Sequence, residues 1–134
     1  MVIDSSALFA ILNDEPERHA FNEAIQAAQS RVMSAATLVE VSIIVETRFG
    51  AQGLYDLDLF VEKAGIEVLA VDREQAYAAR KAFSRFGKGR HAAGLNYGDC
   101  FSYALATVRG EPLLYKGVDF RQTDVTALEP PAQP

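Results

Sequence analysis

Met1-Val2-Ile3-Asp4-Ser5-Ser6-Ala7-Leu8-Phe9-Ala10-Ile11-Leu12 opens the chain, and the reading of this stretch decides the fold. Three apolar residues run into a single acid, and two serines then lead into an apolar, helix-forming run. The pattern predicts a buried strand over Met1 to Asp4 that steps tightly into a helix. Ser5 or Ser6 is its expected cap, because a serine oxygen accepts from the free N–H groups of a first turn. In an open α/β sheet, ligands bind outside the carboxyl ends of the strands. Asp4 stands at such an end, so the rest of the chain is read for what else it delivers there.

Working outward, the same alternation repeats. Asp14 and Glu17 have the spacing of a capping box, Pro16 suits a first turn, and a second helix runs to about Ala28. Arg31 to Ser34 reads as a short strand. Ser34 caps a helix from Ala35 to Arg48, which ends before Gly50. Leu54 to Ala64 reads as a helix and the β-branched run Ile66 to Val71 as a strand. Asp72 and Gln75 open a helix to about Phe86, with Ala76, Ala79, Phe83 and Phe86 as its buried stripe. A basic loop from Gly87 to Gly94 leads to Asn96, which caps a helix from Tyr97 to about Val108. Pro112 to Tyr115 reads as a strand and Asp124 to Leu128 as a last, edge strand. Residues 1–128 then make one domain, and the Pro-rich stretch 129–134 reads as a disordered tail. The order β-α-α-β-α-α-β-α-α-β-β predicts an α/β fold, a largely parallel sheet with helices on both faces.

Composition narrows the chemistry. A chain of 134 residues with 49% apolar content suits one globular domain. No run approaches the ~18 apolar residues that a membrane span needs. The first residues carry an acid and no basic cluster, unlike a signal peptide. A single cysteine, Cys100, fits a reducing cytoplasm. Two distant histidines, His19 and His91, argue against structural zinc, so a bound metal needs oxygen ligands, as Mg²⁺ or Mn²⁺ does.

Four acids occupy equivalent places. Asp4 and Asp119 follow strands; Asp99 lies in the first turn of a helix; Glu40 lies within the helix Ala35–Arg48. That helix is apolar around its whole circumference, through Leu38, Val39, Val41, Ile43, Ile44 and Val45, which predicts burial on more than one side. An acid in such a helix is costly without a partner. In a parallel sheet, strand ends and helix starts meet on one edge, where four carboxylates repel one another unless a cation neutralises them. Taken singly, Asp4 also reads as a helix cap, Asp99 as a first-turn acid suited to the helix dipole, and Asp119 as a turn residue.

The net charge is −5, yet six of the thirteen Lys and Arg residues lie between Arg73 and Arg90, and no acid occurs from Gln75 to Gly98. Lys81, Arg85 and Lys88 recur on one helix face, and Arg90 follows in the loop. This segment reads either as a solvated face or as a cradle for a phosphate backbone that the acids repel. Tyr97 and Phe86 offer rings for base stacking, although core packing accounts for either.

These segments together resemble the PIN-domain ribonucleases, and within them the VapC-type toxins of bacterial toxin–antitoxin pairs. The resemblance rests on Met1-Val2-Ile3-Asp4-Ser5-Ser6-Ala7, Ser34-Ala35-Ala36-Thr37-Leu38-Val39-Glu40, Leu95-Asn96-Tyr97-Gly98-Asp99-Cys100-Phe101-Ser102-Tyr103-Ala104 and Lys116-Gly117-Val118-Asp119-Phe120. It covers nearly the whole chain up to the Pro-rich tail. It implies a sheet of order 3-2-1-4-5, Mg²⁺- or Mn²⁺-dependent endonucleolytic cleavage of RNA, a homodimer and a cognate VapB-type antitoxin. It carries the family's four acids onto Asp4, Glu40, Asp99 and Asp119. On this reading Asp4 and Asp99 are the principal metal ligands, Glu40 and Asp119 complete the pocket, and Ser6 or Thr37 orients a ligand carboxylate. The rival reading is a Mg²⁺-dependent phospho-acceptor signalling domain, with Asp72 as the acceptor and Lys116 as its lysine.

Overall fold

Val2 is paired on both sides, with Val32 and with Leu113, which places the first strand inside the sheet. The computed structural model describes residues 1–128. In chain order they form β1 (Val2–Ile3), α1 (Ser5–Leu12), α2 (Arg18–Ala27), β2 (Val32–Ser34), α3 (Ala35–Phe49), α4 (Ala51–Lys63), β3 (Glu67–Leu69), α5 (Arg73–Phe86), α6 (Tyr97–Arg109), β4 (Leu113–Leu114) and a 3-10 helix, Asp119–Gln122. All strand pairs are parallel and the order is β3-β2-β1-β4. The stretch 129–134, read as a tail, lies outside the described residues.

The central strands are apolar because both faces of the sheet are covered. Ile3, Met33 and Leu114 join the core with α1 to α4, while Val2, Val32 and Leu113 join the core with α5 and α6. A strand of two residues persists because its side chains are fully buried, each such Val or Ile contributing roughly 1.5–3 kcal/mol over the exposed state.

The expected fifth strand reduces to a single parallel bridge, Leu113 to Ala127, at the place an order 3-2-1-4-5 assigns to it. The chain just before is held in a turn, where the Thr123 hydroxyl donates to the Phe120 carbonyl and accepts from the Val125 N–H. Only Thr126 to Leu128 therefore reach β4.

Three local expectations change. Helix α1 starts at Ser5, and Asp4, not a serine, is its cap, accepting from the Ser6 N–H. Asp14 and Glu17 form no capping box; Asp14 pairs with Arg18, and Glu17 takes the cap position without a side-chain bond. Helix α4 begins at Ala51 rather than Leu54, because the break falls at Gly50, which adopts φ +70. Gly53 lies within α4 and packs so closely on α3 that a Cβ there would stand 2.5 Å from the Val45 carbonyl oxygen. The caps at Ser34, Asp72 and Asn96 form as read.

Candidate active site

The four acids lie near the carboxyl edge of the sheet, close enough for Asp99 to feel the charges of Asp4, Glu40 and Asp119. Asp4 is 2% exposed, yet both its oxygens are satisfied. Its Oδ2 accepts from the Ser6 N–H at 3.1 Å and the Ser6 hydroxyl at 2.7 Å; its Oδ1 accepts from the Ser102 hydroxyl at 2.6 Å. Ser102, on α6, is wholly buried, and Thr37 Oγ1 lies 3.2 Å from its hydroxyl. A hydroxyl has one proton to give, so Thr37 donates to Ser102 and Ser102 to Asp4. Ser6 in turn accepts from the Lys116 N–H just beyond β4, at 3.0 Å. Thus Ser6 touches Asp4 directly, whereas Thr37 reaches it through Ser102.

Glu40 points from α3 towards the same edge and accepts from the Ser5 hydroxyl at 2.6 Å. Its carboxylate lies against Gly98, where an added Cβ would come within 1.8 Å of Oε2. Any side chain at 98 would displace it. Burial pushes the Glu40 acid up; the Ser5 bond opposes this and the charge of Asp4 adds to it.

Asp99 is placed by a complete capping box: its Oδ2 accepts from the Asn96 N–H at 3.0 Å while its own N–H donates to Asn96 Oδ1 at 2.8 Å. Its acid is pushed up to about 6, first by burial and then by the charges of Asp4, Glu40 and Asp119, against the lowering effect of the Asn96 N–H. Asp119 is exposed at the start of the 3-10 helix, and its field reaches Asp99. Among the described residues, no three acidic, histidine or cysteine side chains are gathered within reach of one ion. Glu40 and Asp99 each accept instead from a donor of their own, Ser5 and Asn96. The donor chemistry is that of a hard divalent cation: oxygen only, with carboxylates whose mutual repulsion such a charge offsets.

The predicted basic residues are distributed less uniformly. Lys81, Lys88 and Arg90 are exposed, the last with its guanidinium 5.5 Å from the Phe83 ring centroid. Arg85 is engaged, pairing with Asp124 at 3.3 Å, and Asp124 also accepts from the Tyr103 hydroxyl. Phe86 is buried against His91 and Tyr103 and has no face to offer. Tyr97 is 79% exposed. Cys100 is buried, and burial together with Asp99 pushes its thiol up to about 11, which makes it inert.

The phospho-acceptor reading does not survive this geometry. Asp72 spends its carboxylate on capping α5, and the Lys116 ammonium is turned to Glu15 and Glu17. Ser102, Ser5 and Gly98 escaped the sequence reading as site residues. Each touches an acid distant in the chain, and no local pattern marks such a contact.

Residues 1–125 match the PIN domain family model. The chain belongs to the PIN domain family. It is 56% identical over 128 residues to the Ribonuclease VapC of Mycolicibacterium smegmatis, covering 96% of this chain and 99% of that one. It is 50% identical over 131 residues to Ribonuclease VapC30 of Mycobacterium tuberculosis, covering 98% and 100%. In fold, this PIN domain resembles the crystal structure of Mycobacterium tuberculosis VapC20, a Sarcin-Ricin loop cleaving toxin, with TM-score 0.78 at 15% identity over 96% of this chain and 98% of that one. It also resembles VapBC2 from Rickettsia felis, solved with a DNA fragment of its promoter, with TM-score 0.74 at 14% identity over 96% of each. At such identities these two likenesses speak for the fold alone. No helix among the described residues of this PIN domain is long and apolar enough to cross a membrane.

Proposed function

We propose that this PIN domain is a divalent-metal-dependent endoribonuclease and the toxic member of a toxin–antitoxin pair, acting in the cytoplasm. The observation that carries the reading is the placement of Asp4, Glu40, Asp99 and Asp119 near one sheet edge, where burial first, and then the charges of the other three acids, push the Asp99 acid up. Membership of the family, and relatives named ribonuclease VapC, support the choice of RNA as substrate.

Asp4 and Asp99 would be the principal ligands of a Mg²⁺ or Mn²⁺ ion, and Glu40 and Asp119 would complete the pocket. Such an ion would supply the acidification of a water molecule and the stabilisation of charge on the phosphoryl oxygens. The chain's own part is preorganisation. Ser6 and Ser102 fix the Asp4 carboxylate before anything binds, so little reorganisation remains for the reaction. Thr37 fixes Ser102, and Ser5 holds Glu40. Water attacks phosphorus in line, the bond to the 3′ oxygen breaks, and the products carry a 5′-phosphate and a 3′-hydroxyl. Lys81, Lys88 and Arg90, with a smaller share from Arg85, hold the phosphate backbone that the acids repel.

The partners are a second copy of this chain and a cognate VapB-type antitoxin. An antitoxin segment bearing Arg or Lys enters the acidic edge, pairs with the carboxylates and competes with the cation. The test is sequencing of the 5′-phosphate ends that appear when the protein is expressed without a partner. Asp4→Asn and Asp99→Asn should abolish those ends while the proteins stay folded. Ends that persist at parental levels in both variants would sink the assignment.

A further inference from the structure

The segment that carries Asp119 leaves β4 at Lys116, and Lys116 is held there by two different groups of its own. Its backbone N–H donates to the Ser6 hydroxyl at 3.0 Å, and that hydroxyl donates to Asp4 at 2.7 Å. Its ammonium pairs with Glu15 and, at 3.2 Å, with Glu17, in the turn between α1 and α2. We infer that Lys116 is a positioning residue of the acidic edge, with Glu15 and Glu17 as its anchor. It sets Asp4 through Ser6 and fixes the near end of the segment that bears Asp119. The inference rests on the metal-dependent reading and adds to it a residue that acts without touching ion or RNA.

Three observations support this role. The anchor is itself fixed. Asp14 takes φ +52, the one non-glycine residue with left-handed backbone among the described residues, and turns the chain just ahead of Glu15. Asn13 Nδ2 donates at 3.0 Å to the Glu15 oxygen that Lys116 leaves free, and the bonds from Lys116 and then Asn13 hold the Glu15 acid below its ordinary value. An isolated surface pair contributes little, but here one cation is gripped by two carboxylates, one of them steadied from behind. Second, the Ser6 hydroxyl accepts from Lys116, so its own proton is directed to Asp4. Third, the far end of the segment is also fixed: Phe120 is 3% exposed, its ring centroid 5.1 Å from that of Tyr115. Asp119 thus hangs between two held residues, with Gly117, at φ +106, and Val118 carrying the chain from Lys116. The charge of Lys116 gives the inference a sign. By field alone, an ammonium near four acids opposes a cation, so its removal would tighten the site. Where position governs, its removal loosens the site.

The test is calorimetric titration of Mn²⁺ into the full chain without RNA. Lys116→Met should weaken Mn²⁺ binding about ten-fold, the lower end of what outer-shell partners of metal sites carry. Lys116→Arg should keep most of the affinity, because a guanidinium can still bridge the two carboxylates. In chelator, amide hydrogen exchange of Lys116→Met should quicken at position 116 and at Arg121, whose N–H bonds to the Val118 carbonyl, while Val2 and Val32 in the sheet keep the parental rate. Mn²⁺ affinity that is unchanged or tighter in Lys116→Met overturns the inference and leaves the endoribonuclease reading in place. Faster exchange throughout the chain makes the ion pair a general support of the fold and likewise overturns it. So does a lower salt dependence of RNA binding with parental Mn²⁺ affinity, which makes Lys116 a phosphate contact. A parent that binds no Mn²⁺ overturns the metal-dependent reading and this inference together.

Discussion

Ser102 donates a hydrogen bond to Asp4 across 2.6 Å, although 98 residues separate the two in the chain. The bond ties the first turns of α6 to the end of β1, and with Ser6 it leaves the Asp4 carboxylate a single orientation. A side chain with no charge and no exposed atom thus decides how the principal acid faces the pocket.

Ser102→Ala removes that donor and leaves the Thr37 hydroxyl without its acceptor. Losing a buried bond to a charged group costs about 1–3 kcal/mol. We expect a fall of that size in denaturant titrations. Because Asp4 is then held through Oδ2 alone, by Ser6, cleavage should slow more than the stability loss alone explains, with KM little changed. A variant with parental stability and rate would remove Ser102 from the site.

The Asp99 acid predicts how the metal-free protein responds to pH. Its folded value of about 6 lies above its unfolded 3.8, so folding favours the protonated form. The stability it contributes is complete below about pH 4 and is lost as pH rises through about 6. Thermal scans in chelator should therefore show the melting temperature falling across that window. Asp99→Asn should flatten most of the fall and melt higher than the parent at neutral pH. Glu40 shifts in the same direction, so some slope should remain. Adding Mg²⁺ at neutral pH should stabilise the parent more than the variant. A melting temperature that rises through the window contradicts the burial and crowding of these acids.

The basic segment is expected to act unevenly. Lys81→Gln, Lys88→Gln and Arg90→Gln should each reduce the salt dependence of RNA binding, by roughly 0.7 in log–log slope for each phosphate of a single strand left without its cation. Arg85→Gln should change that slope least, because Asp124 already holds its guanidinium. Its effect should show in stability instead, through the Tyr103–Asp124 bond that it supports. Equal slopes for all four variants and the parent would make the segment a solvated face.

Helix α3 presents Val39 at 58% and Ile43 at 61% exposure on the side away from Val41 and Val45. Two neighbouring apolar side chains so exposed are where contact with a second copy or the antitoxin is expected. Ile43→Glu should weaken self-association in light scattering or co-purification with the antitoxin, while RNA cleavage by the isolated chain persists. Inhibition by the antitoxin should also weaken as Mg²⁺ rises, because its cationic segment and the ion compete for one set of carboxylates. Inhibition indifferent to Mg²⁺ would leave the partner and exclude the competition.

What the sequence determined by itself was whatever depends on near neighbours. The helix caps at Ser34, Asp72 and Asn96 were legible because each cap bond spans two or three residues. The alternation of strands and helices was legible because burial on two faces demands uniformly apolar strands such as Val2–Ile3. Parallel topology then brought the acids to one edge, since every strand of a parallel sheet ends on the same side. The sheet order came from family likeness, because periodicity does not say which strand lies beside which. Only the tertiary structure decided the rest. Ser5 reaches Glu40 and Ser102 reaches Asp4 across 35 and 98 residues, and Gly98 makes room for a carboxylate on another helix. Arg85 looked as free as Lys88 until Asp124 folded onto it. Ala76 and Phe83 looked like core because apolar spacing shows which residues share a face, not whether another element covers it; here α6 covers Ala79 and leaves a groove beside it.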